Sequence, residues 1–172
     1  MFKECAVLFL VFAVLVSGCV KEETKIKTKV YFDPEGRFSM KIPENWTEQN
    51  IEFFDASFGQ INEAEKKINL IGVNVQEAQG LTLDQALETV KTALESNNDL
   101  VELSKGSIKS KTQGMYIDFT TMFSGIDVKG RLGVFANQKS VFSVLYLANP
   151  NEYDKNLNEA EFSLNSFIVE GL

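Results

Sequence analysis

The chain has 172 residues, with 17 Lys and Arg against 24 Asp and Glu and a formal net charge of −7. That acidic balance argues against nucleic acid, which selects basic patches, while 44% hydrophobic content with 14 Phe is more than a disordered chain carries. Histidine is absent and cysteine stands only at Cys5 and Cys19, which removes the usual general base, the imidazole metal ligand and the middle member of a Ser-His-Asp triad.

The first element is an unbroken apolar run, residues 5–16, that ends in Val16-Ser17-Gly18-Cys19. An apolar run closing on small residues is the layout of a secretory leader. With Cys at the cleavage point it resembles the lipobox of prokaryotic lipoproteins. That resemblance implies a diacylglyceryl thioether on the Cys19 sulfur and cleavage just before it. The expected organisation is a signal peptide over residues 1–18, a lipid-anchored linker over 19–29, and one domain over 30–172 on the outer, extracytoplasmic face of a cell membrane. The alternative is an uncleaved single-pass helix. The apolar stretch is about 16 residues even with Val20, where a spanning helix wants about 20. Lys21, Lys25, Lys27 and Lys29 follow the run, so the positive-inside rule by itself would place the C-terminus of an uncleaved helix inside. With Cys5 and Cys19 assigned to the leader and the anchor, the domain has no thiol for a disulfide, a zinc site or a nucleophile.

Past the charged linker the pattern turns to strands. Val30 and Phe32 precede the turn Asp33-Pro34-Glu35-Gly36, and Phe38, Met40 and Ile42 then alternate with Arg37, Ser39 and Lys41, as in a half-buried strand. Pro43 closes it. Residues 51–58 and 68–75 read as two further strands, with 59–67 as a polar loop between them. Thr82 and Gln85 have capping-box spacing, and Leu83, Leu87, Val90 and Leu94 form one stripe of an amphipathic helix ending near Asn97-Asn98. A meander follows: 100–109, interrupted at Lys105-Gly106; 115–123 and 127–136 as a hairpin around Ser124-Gly125; then Asn137-Gln138-Lys139 leading into 141–148. A second helix opens at Pro150 or Asn151, with Tyr153, Leu157, Ala160 and Leu164 on one side and Phe167 and Ile168 pinning its end. Six to seven antiparallel strands sandwiched with two amphipathic helices define an α+β fold.

Tyr31-Phe32-Asp33, Gly36-Arg37-Phe38-Ser39-Met40 and Ile42-Pro43-Glu44-Asn45-Trp46 resemble the opening of the PsbP family, the extrinsic lumenal protein of photosystem II, whose fold is shared with a Ran-binding import factor. Phe162-Ser163-Leu164-Asn165-Ser166-Phe167 is similar to that family's terminal helix. The resemblance spans about residues 30–169 in element order and implies a PsbP-like fold. It carries no function with it, because folds host many unrelated activities.

Candidate sites are few. Trp46 reads as a core or rim plug rather than a ligand platform. Asn45-Trp46-Thr47 is a formal glycosylation sequon with a bulky middle residue. Glu63, Glu65, Asp118, Asp127, Glu152, Asp154, Glu159 and Glu161 could supply a carboxylate pair or a calcium site. Asn149, Asn151, Glu152 and Asp154 lack the Gly and terminal Glu of a calcium loop, however, and suit a helix N-terminus. Alternation places Asp118 with Tyr116 and Thr120 on a polar face. Phe53, Phe54, Phe119, Phe123, Phe135 and Phe142 suit core packing better than an apolar-ligand pocket, and Gly125, Gly130 and Gly133 read as strand or turn glycines. The only site residue assigned is Cys19, for lipidation; no catalytic, metal or cofactor residue is. The sequence thus suggests a non-catalytic domain that meets the membrane through its anchor and binds or stabilises a protein partner. The alternatives are a carrier or sensor of a small apolar ligand and an enzyme working with carboxylates alone.

Overall fold

The computed structural model describes residues 26–62, 64–77, 80–96, 100–123 and 125–170. Among the described residues, ten strands form two sheets that pack with two helices, an α+β architecture. Strands β1 (Thr28–Phe32), β2 (Phe38–Pro43) and β10 (Ile168–Val169) make a three-stranded antiparallel sheet in the order β1-β2-β10. The seven-stranded sheet runs β3 (Thr47–Gln49), β4 (Ala56–Asn62), β5 (Lys67–Glu77), β9 (Ser140–Ala148), β8 (Ile126–Ala136), β7 (Gly114–Phe123), β6 (Val101–Ile108), antiparallel throughout.

Helix α1 (Leu83–Glu95) starts where its capping box dictates. The Thr82 hydroxyl accepts from the Gln85 backbone N–H, and the Gln85 side chain accepts from the Thr82 N–H at 2.9 Å. Ser96 caps its end, and Asn97-Asn98 lie outside the described residues. Ala86, Leu87 and Val90 are buried against Ile117, Phe119, Val128, Leu132 and Leu147 on one face of the large sheet. The opposite face carries helix α2 (Pro150–Asn165) and the small sheet together, over Ile71, Val73, Phe135, Phe142, Val144 and Tyr146. The helices are therefore on opposite sides of the large sheet, with the three-stranded sheet sharing the α2 layer. Among the described residues no helix is long and apolar enough to cross a membrane.

The two ends of the domain close on each other. Gly36, at φ 70°, turns the chain between β1 and β2, a conformation that glycine adopts without a Cβ penalty. Phe38 then stacks on Phe167 with ring centroids 5.3 Å apart, and Phe167 stacks on Phe135 at 4.6 Å. The Lys41 N–H donates to the Ser166 hydroxyl at 2.8 Å, and β10 pairs with β2. Gly133 admits α2 to the sheet: a Cβ there would stand 2.6 Å from Leu164 Cδ2.

Several elements differ from the sequence expectation. The strand placed at 51–58 begins only at Ala56, because the Phe54 N–H donates to the Ile51 carbonyl and makes a turn. The polar stretch 59–67 is mostly hairpin, since β4 runs to Asn62 and β5 starts at Lys67; backbone pairing continues past the core, where side chains need not be apolar. Strand β3 is short and polar for the same reason. The interruption expected at Lys105-Gly106 is absent, and the irregularity in β6 lies between Glu102 and Ser104. Gly106 is there for the Tyr116 ring, which a Cβ would approach to 2.7 Å. Strand β1 begins at Thr28, two residues inside the expected linker, and Lys29 Nζ holds it to the Trp46 carbonyl at 2.9 Å.

Candidate functional site

Polar residues gather in three places, each set by strand register. The first lies beneath α2. Asp118 on β7 and Arg131 on β8 are directly opposed cross-strand partners on the α2 side of the sheet. Arg131 grips the Asp118 carboxylate with two N–H donors, at 2.6 and 2.9 Å, and donates a third to Glu161. Tyr153, two helical turns from Glu161, reaches down to donate to Asp118 at 2.9 Å, and Ser104 on β6 donates at 2.7 Å. The guanidinium lies 4.1 Å from the Tyr116 ring centroid.

The electrostatics follow from that geometry. Burial alone would raise the Asp118 carboxyl, but hydrogen bonds from Arg131, Ser104 and Tyr153 outweigh it and hold the pKa below its ordinary value. Burial, then the hydrogen bond to Asp118, pushes the Tyr153 hydroxyl up. An ionised carboxylate offers about four acceptor positions, and four donors occupy Asp118. It has no lone pair free to take a proton from a substrate, and Arg131 spends three of its five N–H groups on the two carboxylates. The constellation fastens α2 to the sheet. Asp118 therefore keeps company with Tyr116, as its alternation requires, yet that face is the covered one under α2 rather than a solvent face.

The second place ties the β1–β2 turn to the loop before β4. Arg37 forms a bidentate pair with Asp33, at 2.8 and 2.9 Å, and reaches Asp55 at 2.9 Å. The Arg37 hydrogen bond holds the Asp33 carboxyl below its ordinary range. The motif residues Asp33, Gly36 and Arg37 are thus explained by a clamped turn.

The third is a concave cavity of about 460 Å³ between the β4–β5 hairpin and the N-terminal half of α2. Its wall includes Asn45, Trp46, Gln60, Asn69, Asn156 and Glu159. Trp46 is 1% exposed, stacks near Tyr146 with centroids 6.3 Å apart, and donates its indole N–H to Glu159 at 2.9 Å. It is a plug, as the sequence suggested. Asn45 of the sequon is exposed beside it.

The remaining candidates separate. Glu65 pairs with Lys67, Glu152 with Lys155, and Asp154 with Lys129. Asn149 does not cap α2 with its side chain. It bonds instead to the Ile68 N–H at 2.7 Å and to the Lys66 carbonyl at 3.0 Å, anchoring the helix start to β5. Among the described residues no group of three or more Asp or Glu could hold a metal ion. Glu63 and Cys19 lie outside the described residues. Phe119, Phe135 and Phe142 fill the two cores, Phe54 covers Gly72, Phe123 packs on the α1 side, and Phe53 is 69% exposed. Nothing local in the sequence gives Arg131 or Arg37 a site role. The only available signal was an arginine inside an apolar strand and one inside the turn motif, and neither names its partner.

This arrangement of sheets and helices is a PsbP-like fold. The chain is similar to the cyanobacterial PsbP protein CyanoP of Synechocystis sp. PCC 6803, with a TM-score of 0.61 and 13% identity over 89% of this chain and 98% of that one. It is also similar to LpqN of Mycobacterium tuberculosis, described as involved in cell envelope biogenesis, with a TM-score of 0.57 and 10% identity over 84% and 91% of the two chains. A Bacteroides thetaiotaomicron structure matches with a TM-score of 0.52 and 15% identity, over 83% of this chain and 48% of that one. At these identities the likeness is one of fold. No protein-family model matches the chain, and no curated protein matches it in sequence.

Proposed function

We propose that the chain is a non-catalytic domain, lipid-anchored through Cys19 at the outer face of a membrane, that binds or stabilises a protein partner through the free edges of its sheets. The observation that carries this reading is the placement of exposed apolar side chains. At the edge strand β6, Val101 is 59% and Leu103 52% exposed, with Met122 of the adjacent β7 at 57%. At the edge strand β1, Val30 is 53% and Phe32 69% exposed. A free edge offers a row of unpaired backbone donors and acceptors, which proteins ordinarily protect with charge. Apolar side chains beside such a row suit a partner that adds a strand. The fully engaged Asp118 carboxylate supports a structural role for the polar groups under α2. The fold likeness to LpqN is in keeping with an envelope location.

Two measurements test the proposal. Cys19→Ser should abolish lipid modification and cleavage, read by detergent-phase partitioning and intact mass; a wild-type chain that retains residues 1–18 would overturn the anchor. A photoreactive residue at Leu103 or Phe32 in the full chain, in its own membranes, should give a discrete adduct that Val101→Glu removes at the β6 edge. Equal background from both edges and from an exposed α1 position such as Asp84 would overturn the partner.

A further inference from the structure

The cavity beside Trp46 has a chemistry that the edge-binding proposal does not use. Its lining is polar; Asn62, Glu65, Lys67, Asn149 and Glu152 are engaged with protein partners, and the other polar groups are wholly or partly uncommitted. Asn45 and Gln60 present amides that bond to no other described residue. The side-chain oxygen of Asn69 is buried in the wall yet accepts no hydrogen bond. Glu159 spends one carboxylate oxygen on the Trp46 indole. Asn156 spends only its amino group, on the Glu152 carbonyl at 3.1 Å. The Tyr146 hydroxyl, fully buried and also without a partner, stands on the same side of the sheet: Tyr146 is opposite Ile71, two residues along β5 from Asn69. Buried polar groups are normally satisfied, so each exception calls for a partner.

The ligand class follows by elimination. An apolar molecule would leave these amides desolvated and unpaired. An anion would meet Glu159 and Glu152, while the cavity's lysine, Lys67, is held by Glu65 at 2.6 Å. An ammonium donates only, so it would match the free oxygens of Asn69, Asn156 and Glu159 but leave the amide N–H groups of Asn45, Gln60 and Asn69 without an acceptor from the ligand. A hydroxyl donates and accepts at once, and so matches amides and carboxylates together. A volume of about 460 Å³ is within the usual range for small-molecule sites. We propose that this cavity is a binding site for a neutral carbohydrate, held through hydroxyl contacts to Asn69, Gln60, Asn45, Asn156 and Glu159. Trp46 is too buried to stack on a sugar ring, so recognition rests on hydrogen bonds, and a weak affinity, with Kd on the order of 1 mM, is expected.

Trp46 is the only tryptophan of the chain and borders the cavity, so its emission reports occupancy. The full processed chain in phospholipid nanodiscs, free of sugar detergents, is titrated with glucose, N-acetylglucosamine, maltotriose and chitotriose, and with putrescine as the cationic control. At least one saccharide should give a saturable change, weakened about tenfold by Gln60→Ala or Asn69→Leu, as for loss of one hydrogen bond, while putrescine gives none. Absence of saturation by every saccharide below about 100 mM overturns the proposal. So does a response to putrescine, or saccharide binding that both variants leave unchanged. If Asn69→Leu fails to fold, Asn45→Ala at an exposed position takes its place beside Gln60→Ala.

Discussion

Asp118 shows how one carboxylate acquires its role from its neighbours. Its folded pKa lies below the unfolded value, so its contribution to stability is complete above about pH 4 and is lost as pH falls through the folded pKa. Asp118→Asn removes the charge facing Arg131, whose residue exposure is 8%, while Glu161 still holds one side of the guanidinium. A loss of about 3 kcal/mol is expected at neutral pH, the low end for breaking a buried pair. The variant should also show a shallower decline in stability below about pH 4. Urea melts across pH check both. A variant as stable as wild type at pH 7, with the same acid profile, would mean that the cluster does not fasten α2.

At the scale of elements, each helix is held by a different device. Helix α1 begins on a reciprocal cap, so Thr82→Ala should cost about 1 kcal/mol and lower the denaturation midpoint without changing the slope. Helix α2 lacks a side-chain cap and depends on docking, through Asn149 to β5 and Leu164 against Gly133. Leu164, 2% exposed, should cost about 2–5 kcal/mol on truncation to Ala. Lys155→Ala removes only an exposed i,i+3 pair with Glu152 and should cost no more than about 0.5 kcal/mol. Similar small losses at Leu164 and Lys155 in denaturant melts would show that α2 is not seated on the sheet.

For the whole molecule, both cores are assembled from residues between Thr28 and Val169, and both cysteines precede them. Residues 26–172 expressed alone should unfold in one cooperative transition, at the same midpoint with and without reductant. A molten soluble fragment would show that a partner completes the core. The large sheet shields each core from the other, so the α1 and α2 layers share strands but few side chains. Substitutions at Leu87 and Leu164, on opposite faces, should therefore be close to additive.

Elements whose signals are local can be read from the residues alone. Thr82 and Gln85 set the start of α1 because a capping box is written in four consecutive residues, and Phe38, Met40 and Ile42 set β2 because a period of two needs no distant partner. The motif around Gly36 and Trp46, with the closing Ser166-Phe167, was enough to indicate the PsbP-like fold. The remaining features arise from contacts between distant segments. Strand β3 and the ends of the β4–β5 hairpin are polar and exist through backbone pairing, which leaves no pattern in side chains. The split into two sheets, and the sharing of one face by α2 and the β1-β2-β10 sheet, depend on pairings as distant as Ser39 with Ile168. The site residues were least legible for the same reason. By alternation Asp118 falls on a polar strand face and Arg131 carries no local signal; register is what places them opposite each other under a helix. Gln60, Asn69 and Asn156 are scattered in sequence and become one cavity wall only when the hairpin and α2 close around Trp46.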